Sequence, residues 1–442
     1  MASLEFPGRP AAIVRARPGA CLAAVGMSLG AIATMSASLV VVGAATQRDY
    51  IFGLVPVFRP GEPATVVAWA SAAIMAAAGA SAAFVAIVRR AARLPVGGWP
   101  VVAVAFGVSS VTRLAAPLAP SWGIAAAMAA AAFAIRAVPR RQRGAMWLGL
   151  AIIAAAPLIV DAGAAGGGLS SLVARAIEWS GALGVTMAAL SAARITGGRS
   201  VTLSRLPAHE VPGSTVIAIS ARAWPFWGLT TIVVLVTASA VLAVMHHGQH
   251  LQVRAFHLLS YVDLEGNVPS WYSSMLLLAA SFAAGLLSLG ERGSGGPHWR
   301  AWRLLAVGFA AMSCDEAAGL HEHLTAPLRL LLDDAPALRY PLVLPGVAIS
   351  VATWLYLSRF LRDLAPASRR RLLSSGAVFL AGALGFETMG GWYDPTLHGE
   401  SATYLALTHA EETCEMLGVT GALYGMLRHF ETAVGTMRID FE

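Results

Sequence analysis

The sequence contains no lysine, and charged residues of any kind are scarce. All 31 basic residues among its 442 are arginine, and charged residues make up 12% of the chain, against about 25% in soluble globular proteins. Hydrophobic residues make up 57%, and the mean hydropathy is +0.66. This composition excludes a soluble enzyme, a disordered chain and a nucleic-acid-binding domain. The three cysteines, Cys21, Cys314 and Cys414, all lie in apolar segments, so no disulfide framework is implied.

Long apolar runs fill most of the chain, and many are long enough to cross a bilayer, which requires about 20 residues in a helix. Clusters of Arg, Pro or Gly separate these runs from one another. We predict an all-α, polytopic membrane bundle of about twelve transmembrane helices. Their approximate limits are 20–46, 63–88, 97–116, 121–138, 145–165, 170–193, 223–245, 269–290, 302–328, 340–360, 372–391 and 401–427.

The arginines are distributed unevenly between the two sides of this arrangement. When the N-terminus is placed in the cytoplasm, 24 of the 31 arginines fall in cytoplasmic segments and six in outer segments, with Arg175 inside a span. Cytoplasmic loops of membrane proteins carry an excess of Arg and Lys. The distribution therefore predicts that both termini lie in the cytoplasm. The expected location is a bacterial inner membrane, in line with the resemblance described below.

The two halves of the chain differ in composition. Residues 1–200 form an Ala-rich half with six predicted spans and few polar residues, and residues 201–222 form a cytoplasmic linker. Small residues let membrane helices approach closely, so this half is predicted to be a packing scaffold. Residues 223–442 contain the other six spans and most of the chemistry-bearing side chains.

Seven carboxylic acids occur in three predicted spans of the C-terminal half. They are Asp315, Glu316 and Glu322 in span nine, Glu387 in span eleven, and Glu411, Glu412 and Glu415 in span twelve. Each ionised group inside a bilayer costs about 2.5–3.5 kcal/mol on insertion scales. The arginines of this half lie mostly at the cytoplasmic ends, so the acids must be protonated, hydrated or bound to a cation.

Depth and spacing indicate one site for these acids. At 1.5 Å per residue, all seven fall between the middle of the membrane and its outer third. Residues of Asp315–Glu322 and of Thr408–Glu415 follow an i, i+4, i+7 pattern, which predicts one polar stripe on each helix. We therefore expect spans nine, eleven and twelve to pack together around a single cluster.

Carboxylate and imidazole groups are the usual ligands of Zn, Fe or Mn. A divalent metal ion is thus expected, with candidate ligands Glu316, His321, Glu322, Glu387, Glu411, Glu412 and Glu415. Asp315, Glu316 and Glu412 are the candidate catalytic residues.

The predicted outer loop before span eight contains Asp263, Glu265 and Asn267 in alternation. The first oxygen ligands of a calcium loop alternate in this way, so these three residues are candidate calcium ligands. Ser274 stands where an EF-hand would have glutamate, which excludes that motif. The alternative interpretation is a polar turn that caps the next helix, with Pro269 in its first turn.

Residues 255–430, about 40% of the chain, resemble a group of uncharacterised bacterial polytopic membrane proteins. The resemblance rests on the run DLEGNVPSWYSSMLLL, on the S-x-D-E-x(4)-H-E motif at Ser313–Glu322 and on EETCEMLG at Glu411–Gly418. It implies a shared site without implying a reaction. A weaker likeness connects the Asp263–Asn267 segment and Ser313 to alkaline ceramidase-type membrane hydrolases, which combine a calcium segment with a zinc site.

Three functions fit these features. The first is a membrane-embedded metalloenzyme acting on a lipid-like substrate, because a divalent ion activates water or oxygen. The second is a proton- or cation-coupled transporter, which uses intramembrane Asp, Glu and His. The third is a non-catalytic subunit or a metal-storage and assembly factor. Membrane lipid is the expected partner in each case, and nucleic acid is not.

Overall fold

The computed structural model describes residues 12–16, 18–46, 54–58, 64–91, 99–114, some positions between 175 and 189, 215–217, 221–249, 254–324, 343–393, 401–434 and 437–441. The predicted spans 121–138 and 145–165, most of 170–193 and most of the linker lie outside these residues.

Helices dominate the described part of the chain, as the composition predicted. The N-terminal half contributes α1 (Pro18–Thr46), α2 (Leu54–Val57), α3 (Val66–Ala91) and α4 (Trp99–Leu114). The C-terminal half contributes α5 (Trp224–Gln249), α6 (Arg254–Ser260), α7 (Val268–Gly293), α8 (Trp299–Ala318), α9 (Val343–Asp363), α10 (Pro366–Leu380), α11 (Glu387–Trp392) and α12 (Ala402–His429). π-helical turns occupy Ala381–Phe386 and Phe430–Val434.

Five of the described helices are long and apolar enough to cross a membrane. They cover Val66–Ile87, Trp224–His246, Val268–Gly293, Val343–Asp363 and Pro366–Gly391. Their length and composition indicate a membrane protein. The helices α8 and α12 have 20 and 28 residues, but each carries several charged residues, including acids predicted to form the site.

Three short strands add a small sheet that the all-α prediction did not include. They are β1 (Ala12–Ala16), β2 (Thr215–Ile217) and β3 (Met437–Phe441). The central strand β3 pairs in parallel with β1, matching Ala12 to Met437, and antiparallel with β2, matching Ile217 to Met437. Segments from the beginning, middle and end of the chain therefore meet at one end of the bundle.

The antiparallel pair of α7 and α8 is held together by serine hydroxyl groups on one face of α7. Ser270, Ser274, Ser281 and Ser288 follow a spacing of four and seven residues, which places them on the same side of a helix. Their hydroxyl groups donate, over 2.7–3.1 Å, to the carbonyl oxygens of Glu316, Ser313, Ala306 and Trp299, in that order. Hydrogen bonds of this kind stabilise helix pairs in membranes.

Close approach of α10 and α12 depends on glycines of α12. A Cβ at Gly418 would lie 2.6 Å from Cβ of Phe379, and one at Gly421 would lie 2.5 Å from Oγ of Ser375. Contacts this short leave no room for a side chain, so the two helix backbones touch. Small residues at helix crossings allow this packing in membranes.

Helices of the N-terminal half pack directly on the pair α7 and α8. Nε1 of Trp69 on α3 donates to Oγ of Ser313 on α8 over 3.0 Å. Nε1 of Trp271 on α7 donates to Oγ of Ser110 on α4 over 3.0 Å. The first described spans thus contact the helices that carry the acidic residues.

Candidate functional site

The segment between α6 and α7 is fixed by Asn267, which is fully buried. Its Oδ1 caps α7 by accepting from the N–H of Ser270 over 3.1 Å, and its Nδ2 donates to the carbonyl oxygens of Leu258 and Tyr261. Pro269 lies in the first turn of α7. The helix-capping interpretation of this segment is therefore confirmed. The Asn267 oxygen thus has a structural role, and the calcium interpretation stays a prediction.

The same segment brings Glu265 against α8. Oγ of Ser270 lies 3.3 Å from Oε2 of Glu265 and 3.1 Å from the carbonyl oxygen of Glu316, so its one proton can serve either acceptor. A Cβ at Gly319 would lie 3.5 Å from Cγ of Glu265 and 3.6 Å from Oε2 of Glu322. Glu265 and Glu322 therefore flank the same glycine at the end of α8.

Gly319 ends α8 in the left-handed conformation, with φ of 55°. A short second helix covers 320–324. The predicted continuous stripe of Asp315, Gly319 and Glu322 is thus wrong, because the chain changes direction at Gly319. The predicted span 302–328 likewise does not form one unbroken helix.

The turn at Gly319 brings His321 back onto Asp315. Oδ1 of Asp315 accepts from the backbone N–H of His321 over 2.9 Å, and Oδ2 lies 3.0 Å from Nδ1 of the ring. Two contacts from one carboxylate fix both the backbone and the ring of His321. Any further bond to the ring must therefore use Nε2.

The carboxylates of α12 lie opposite those of α8. The charge of Glu412 interacts most strongly with Glu316, then with Glu415 and Asp263. Glu415 also interacts with Glu316 and with His321. The structure therefore brings together acids of α8 and α12 that are about 100 residues apart in the sequence.

Glu387 joins the cluster through the π-helical turn that precedes it. A Cβ at Gly382 would lie 2.8 Å from the carbonyl oxygen of Glu411 and 3.0 Å from Cγ of Glu415, so the turn touches α12. The charge of Glu387 interacts with those of His321, Asp315 and Glu411. Acids of all three helical segments thus interact through their charges, and direct packing of α8 against the other two stays a prediction.

Charge interactions thus link nine carboxylic acids and His321 into one group: Asp263, Glu265, Asp315, Glu316, Glu322, Glu387, Glu411, Glu412 and Glu415. Their side chains all keep partial or full exposure to solvent, although many protein atoms lie around them. The positive charge of His321 acts on at least five of these acids, Glu265, Glu316, Glu387, Glu411 and Glu415. We call these nine acids and His321 the acidic cluster.

The two acids outside the helices show how strongly the acidic cluster disfavours negative charge. Burial, followed by the charge of Glu322, raises the pKa of Asp263 to about 7. Burial and the charges of Glu316 and Glu322 raise the pKa of Glu265 well above its usual value, against a smaller opposing effect of His321. Protons therefore remain on parts of the acidic cluster near neutral pH unless another cation replaces them.

The described side chains do not form a ready metal cage. In that part of the chain, no three His, Cys, Asp or Glu residues are placed closely enough to hold an ion. The carboxylate oxygens and the His321 ring are the donor types that divalent metals use. Suitable donor groups are therefore present in the acidic cluster, but no three of the described ones are close enough together to bind one ion.

Two polar residues near the acidic cluster have structural roles. Ser313, the residue likened to a hydrolase serine, is fully buried, donates to the carbonyl oxygen of Ser274 over 2.8 Å and accepts from Trp69. Both ring nitrogens of His409 are engaged, Nδ1 by the carbonyl oxygen of Leu405 at 2.8 Å and Nε2 by Oγ of Ser239 at 2.9 Å. The described contacts give neither residue a chemical role.

The sequence prediction did not identify Ser270 or the π-helical turn Ala381–Phe386. The spacing of the serines along α7 is a signal that would have directed attention to Ser270, since it repeats with the helix period. The turn has no comparable signature, apart from two glycines in an apolar run. Single π-helical turns are frequent at functional sites.

Residues 227–430 match a domain family of unknown function, DUF8692. This match runs from α5 to the end of α12 and includes the whole acidic cluster. Neither a curated protein nor a solved structure matches the chain.

Proposed function

We propose that this chain is a bacterial inner-membrane protein whose acidic cluster binds a divalent metal ion and uses it on a lipid-like substrate. The observation that carries the proposal is the charge imbalance of the acidic cluster. Nine carboxylic acids from four parts of the chain interact through their charges with one another and with His321. Protons or a cation must offset this negative charge, and a divalent ion would supply two positive charges in one step.

Twelve spans with cytoplasmic termini fit the positions of the strands. Because β1, β2 and β3 belong to one sheet, the chain must cross the membrane an even number of times between each pair of strands. The six long helical segments between β2 and β3 satisfy this condition. The arginine excess supports a cytoplasmic position for the sheet.

This topology puts the acidic cluster in the outer half of the membrane. The ring of Trp302, near the start of α8, lies 5.3 Å from that of His429, close to the strand β3. Asp315 and Glu316 lie at the other end of α8, about 20 Å further along the helix axis. An apolar substrate could reach a site at this depth from the outer leaflet.

Glu316, Glu412, Glu415 and His321 are the proposed metal ligands. The pairs Glu316–Glu412 and Glu412–Glu415 interact through their charges, and His321 acts on Glu415. Carboxylates without an ion repel one another and separate, so a bound ion would pull these side chains inward. Asp315 would orient His321, as carboxylates commonly orient metal-binding histidines.

The metal would act as a Lewis acid on water or oxygen. The donor set of carboxylates with one imidazole suits Zn, Fe or Mn. Glu316, Glu412 and Asp315 would accept or hold a proton during such a reaction. Glu387, Glu411 and Glu322, with Asp263 and Glu265, would set the charge around the ion.

The proposal is tested by elemental mass spectrometry on the purified full-length protein. We expect about one transition-metal ion per chain, and loss of that ion in Glu412→Gln. Glu431→Gln is the matched control, since Glu431 follows α12 but pairs with Arg428, away from the acidic cluster. A parent protein without metal, even after incubation with Zn²⁺, Fe²⁺ or Mn²⁺, would refute the proposal.

Proton-coupled transport is the second candidate, and one observation favours it. The described side chains do not form a three-ligand group, while the pKa of Asp263 lies at about 7, where protons exchange readily in cells. Under this alternative the acidic cluster carries protons instead of a metal. Proteoliposomes with an internal pH dye would report proton movement, and Glu412→Gln would abolish it without any dependence on metal.

A further inference from the structure

Three arginines converge on one tryptophan at the end of the bundle opposite the acidic cluster. The guanidinium carbons of Arg292, Arg300 and Arg303 lie 5.2, 5.2 and 4.8 Å from the ring centroid of Trp299. These distances are typical of cation–π contacts. The three positive charges are consequently all within about 10 Å of one another, since each lies close to the same ring.

These charges have no carboxylate partner in the described part of the chain. None of the ion pairs found there includes Arg292, Arg300 or Arg303. Two acids lie close by and contact His298, the residue before Trp299: Oε2 of Glu291 accepts from the N–H of His298 over 3.2 Å, and Oδ2 of Asp363 lies 3.3 Å from Nε2 of His298. Three guanidinium groups and two carboxylates leave a net positive charge around Trp299.

The start of α8 adds to this positive charge. Trp299 is the first residue of α8, and the preceding His298 makes no side-chain capping hydrogen bond. The N-terminus of a helix carries a partial positive charge and presents backbone N–H groups, which favours an anion such as phosphate. A guanidinium group also commonly donates two parallel hydrogen bonds to a phosphate.

Apolar side chains continue from the arginines along both helices. On α8, Arg300, Leu304 and Val307 follow i, i+4, i+7, and Leu304 and Val307 are exposed. On α7, the exposed Leu289 lies three residues before Arg292, and the exposed Phe282 lies seven residues, or two helical turns, before Leu289. Positions with these spacings share one helix face, so a cationic end adjoins an apolar surface on each helix.

This combination matches an amphiphile with an anionic head. The ring contacts of Trp302 with His429 and Phe360 put this end of α8 beside the last turns of α12, near the sheet. Tryptophan is enriched at the membrane–water boundary, and basic clusters there bind anionic lipid headgroups. We propose that Trp299, Arg292, Arg300 and Arg303 bind the phosphate of an anionic phospholipid whose chains lie along α7 and α8.

Native mass spectrometry of the full-length protein in detergent can test this assignment. The probes are phosphatidylglycerol, phosphatidylcholine with the same acyl chains, and inorganic phosphate. The test variant changes Arg292, Arg300 and Arg303 to Gln, and the matched control changes Arg359, Arg362 and Arg370 to Gln. Both variants remove three exposed arginines, and the milder Arg303→Gln variant covers the case in which the triple variant does not fold.

We expect phosphatidylglycerol to bind the test variant at least about tenfold more weakly than it binds the parent protein. Its affinity for the control variant should be nearly the same as for the parent. Arg303→Gln should weaken binding by a smaller factor, and excess phosphate should displace the lipid. Equal losses in both triple variants would mean a general charge effect and would overturn the proposal. Binding of phosphate without any preference for phosphatidylglycerol over phosphatidylcholine would overturn it as well, because the site would then serve a free anion.

Discussion

The carboxylate of Asp315 contacts His321 at two points. Its Oδ1 accepts from the backbone N–H of His321 over 2.9 Å, and its Oδ2 lies 3.0 Å from Nδ1 of the His321 ring. The pair exists because Gly319 turns the chain between them in the left-handed conformation. A side chain oriented by a carboxylate in this way is prepared to bind a cation or to transfer a proton with its other nitrogen.

Replacing Asp315 by Asn should weaken metal binding by about 10–100-fold. The amide oxygen can still accept from the backbone of His321, but the NH₂ group cannot accept from Nδ1–H, so the ring loses its orientation. Isothermal titration of metal-stripped protein would measure the change. Asp363→Asn breaks another Asp–His contact, with His298, and should leave metal affinity unchanged; equal losses in both variants would contradict the role of Asp315.

Gly382→Ala should lower the free energy of unfolding by about 1–3 kcal/mol, as overpacking commonly does. The added Cβ would lie 2.8 Å from the carbonyl oxygen of Glu411 and 3.1 Å from Cβ of Cys414, which forces the π-helical turn away from α12. Denaturant or thermal unfolding in detergent would measure the loss.

Gly385→Ala is the matched control for this change. It adds the same methyl group in the same turn, but the new Cβ would meet no atom within 4 Å. We expect an effect within about 0.5 kcal/mol. A loss as large as that of Gly382→Ala would mean that the turn tolerates no side chain for reasons other than contact with α12.

Asn267→Asp separates the structural role of Asn267 from the calcium interpretation. Aspartate keeps an oxygen that caps α7 but loses the donors to the carbonyl oxygens of Leu258 and Tyr261. The protein should therefore become less stable, and added Ca²⁺ should not restore it. Recovery of the melting temperature by Ca²⁺ would support a calcium site in this loop.

Stability without metal should fall as the pH rises from about 4 to 7. The pKa of Asp263 is raised to about 7 in the folded protein by burial and by Glu322, from an ordinary value of 3.8. Because the folded protein binds this proton more tightly than the unfolded chain does, the proton stabilises the folded state. The stabilisation is complete below the pKa of Asp263 in the unfolded chain, and it is lost as the pH rises through its pKa in the folded protein. Melting temperatures recorded with chelator should show this slope, and Asp263→Asn should reduce it. An unchanged slope in the variant would assign the pH dependence to other groups.

The sequence predicted the membrane class and the membership of the acidic cluster better than its shape. Acids in otherwise apolar helices are costly, so Glu316, Glu387 and Glu412 were recognisable as a group that had to meet. The helix period also placed Glu412 and Glu415 on one face of α12, which is a single continuous helix.

Backbone changes within helices were not predictable in the same way. Gly319 was assigned to a continuous helix because nothing nearby in the sequence distinguishes a left-handed residue from a helical glycine. The capping role of Asn267 was one of two interpretations, and the choice depended on the carbonyl groups of Leu258 and Tyr261, which only the folded chain brings near. The sheet was missed because its strands are short and far apart in the sequence.

The melting temperature of Glu412→Gln, compared with that of the parent protein with and without chelator, tests the metal proposal most directly. Glutamine removes a charge that would offset a bound cation but mimics a protonated acid. If the acidic cluster binds a metal, chelator should lower the melting temperature of the parent protein. Glu412→Gln should have a lower melting temperature than the parent, and chelator should not change it. A parent insensitive to chelator, together with a variant as stable as the parent or more stable, would contradict the proposal, because removing a buried charge from a metal-free cluster relieves repulsion.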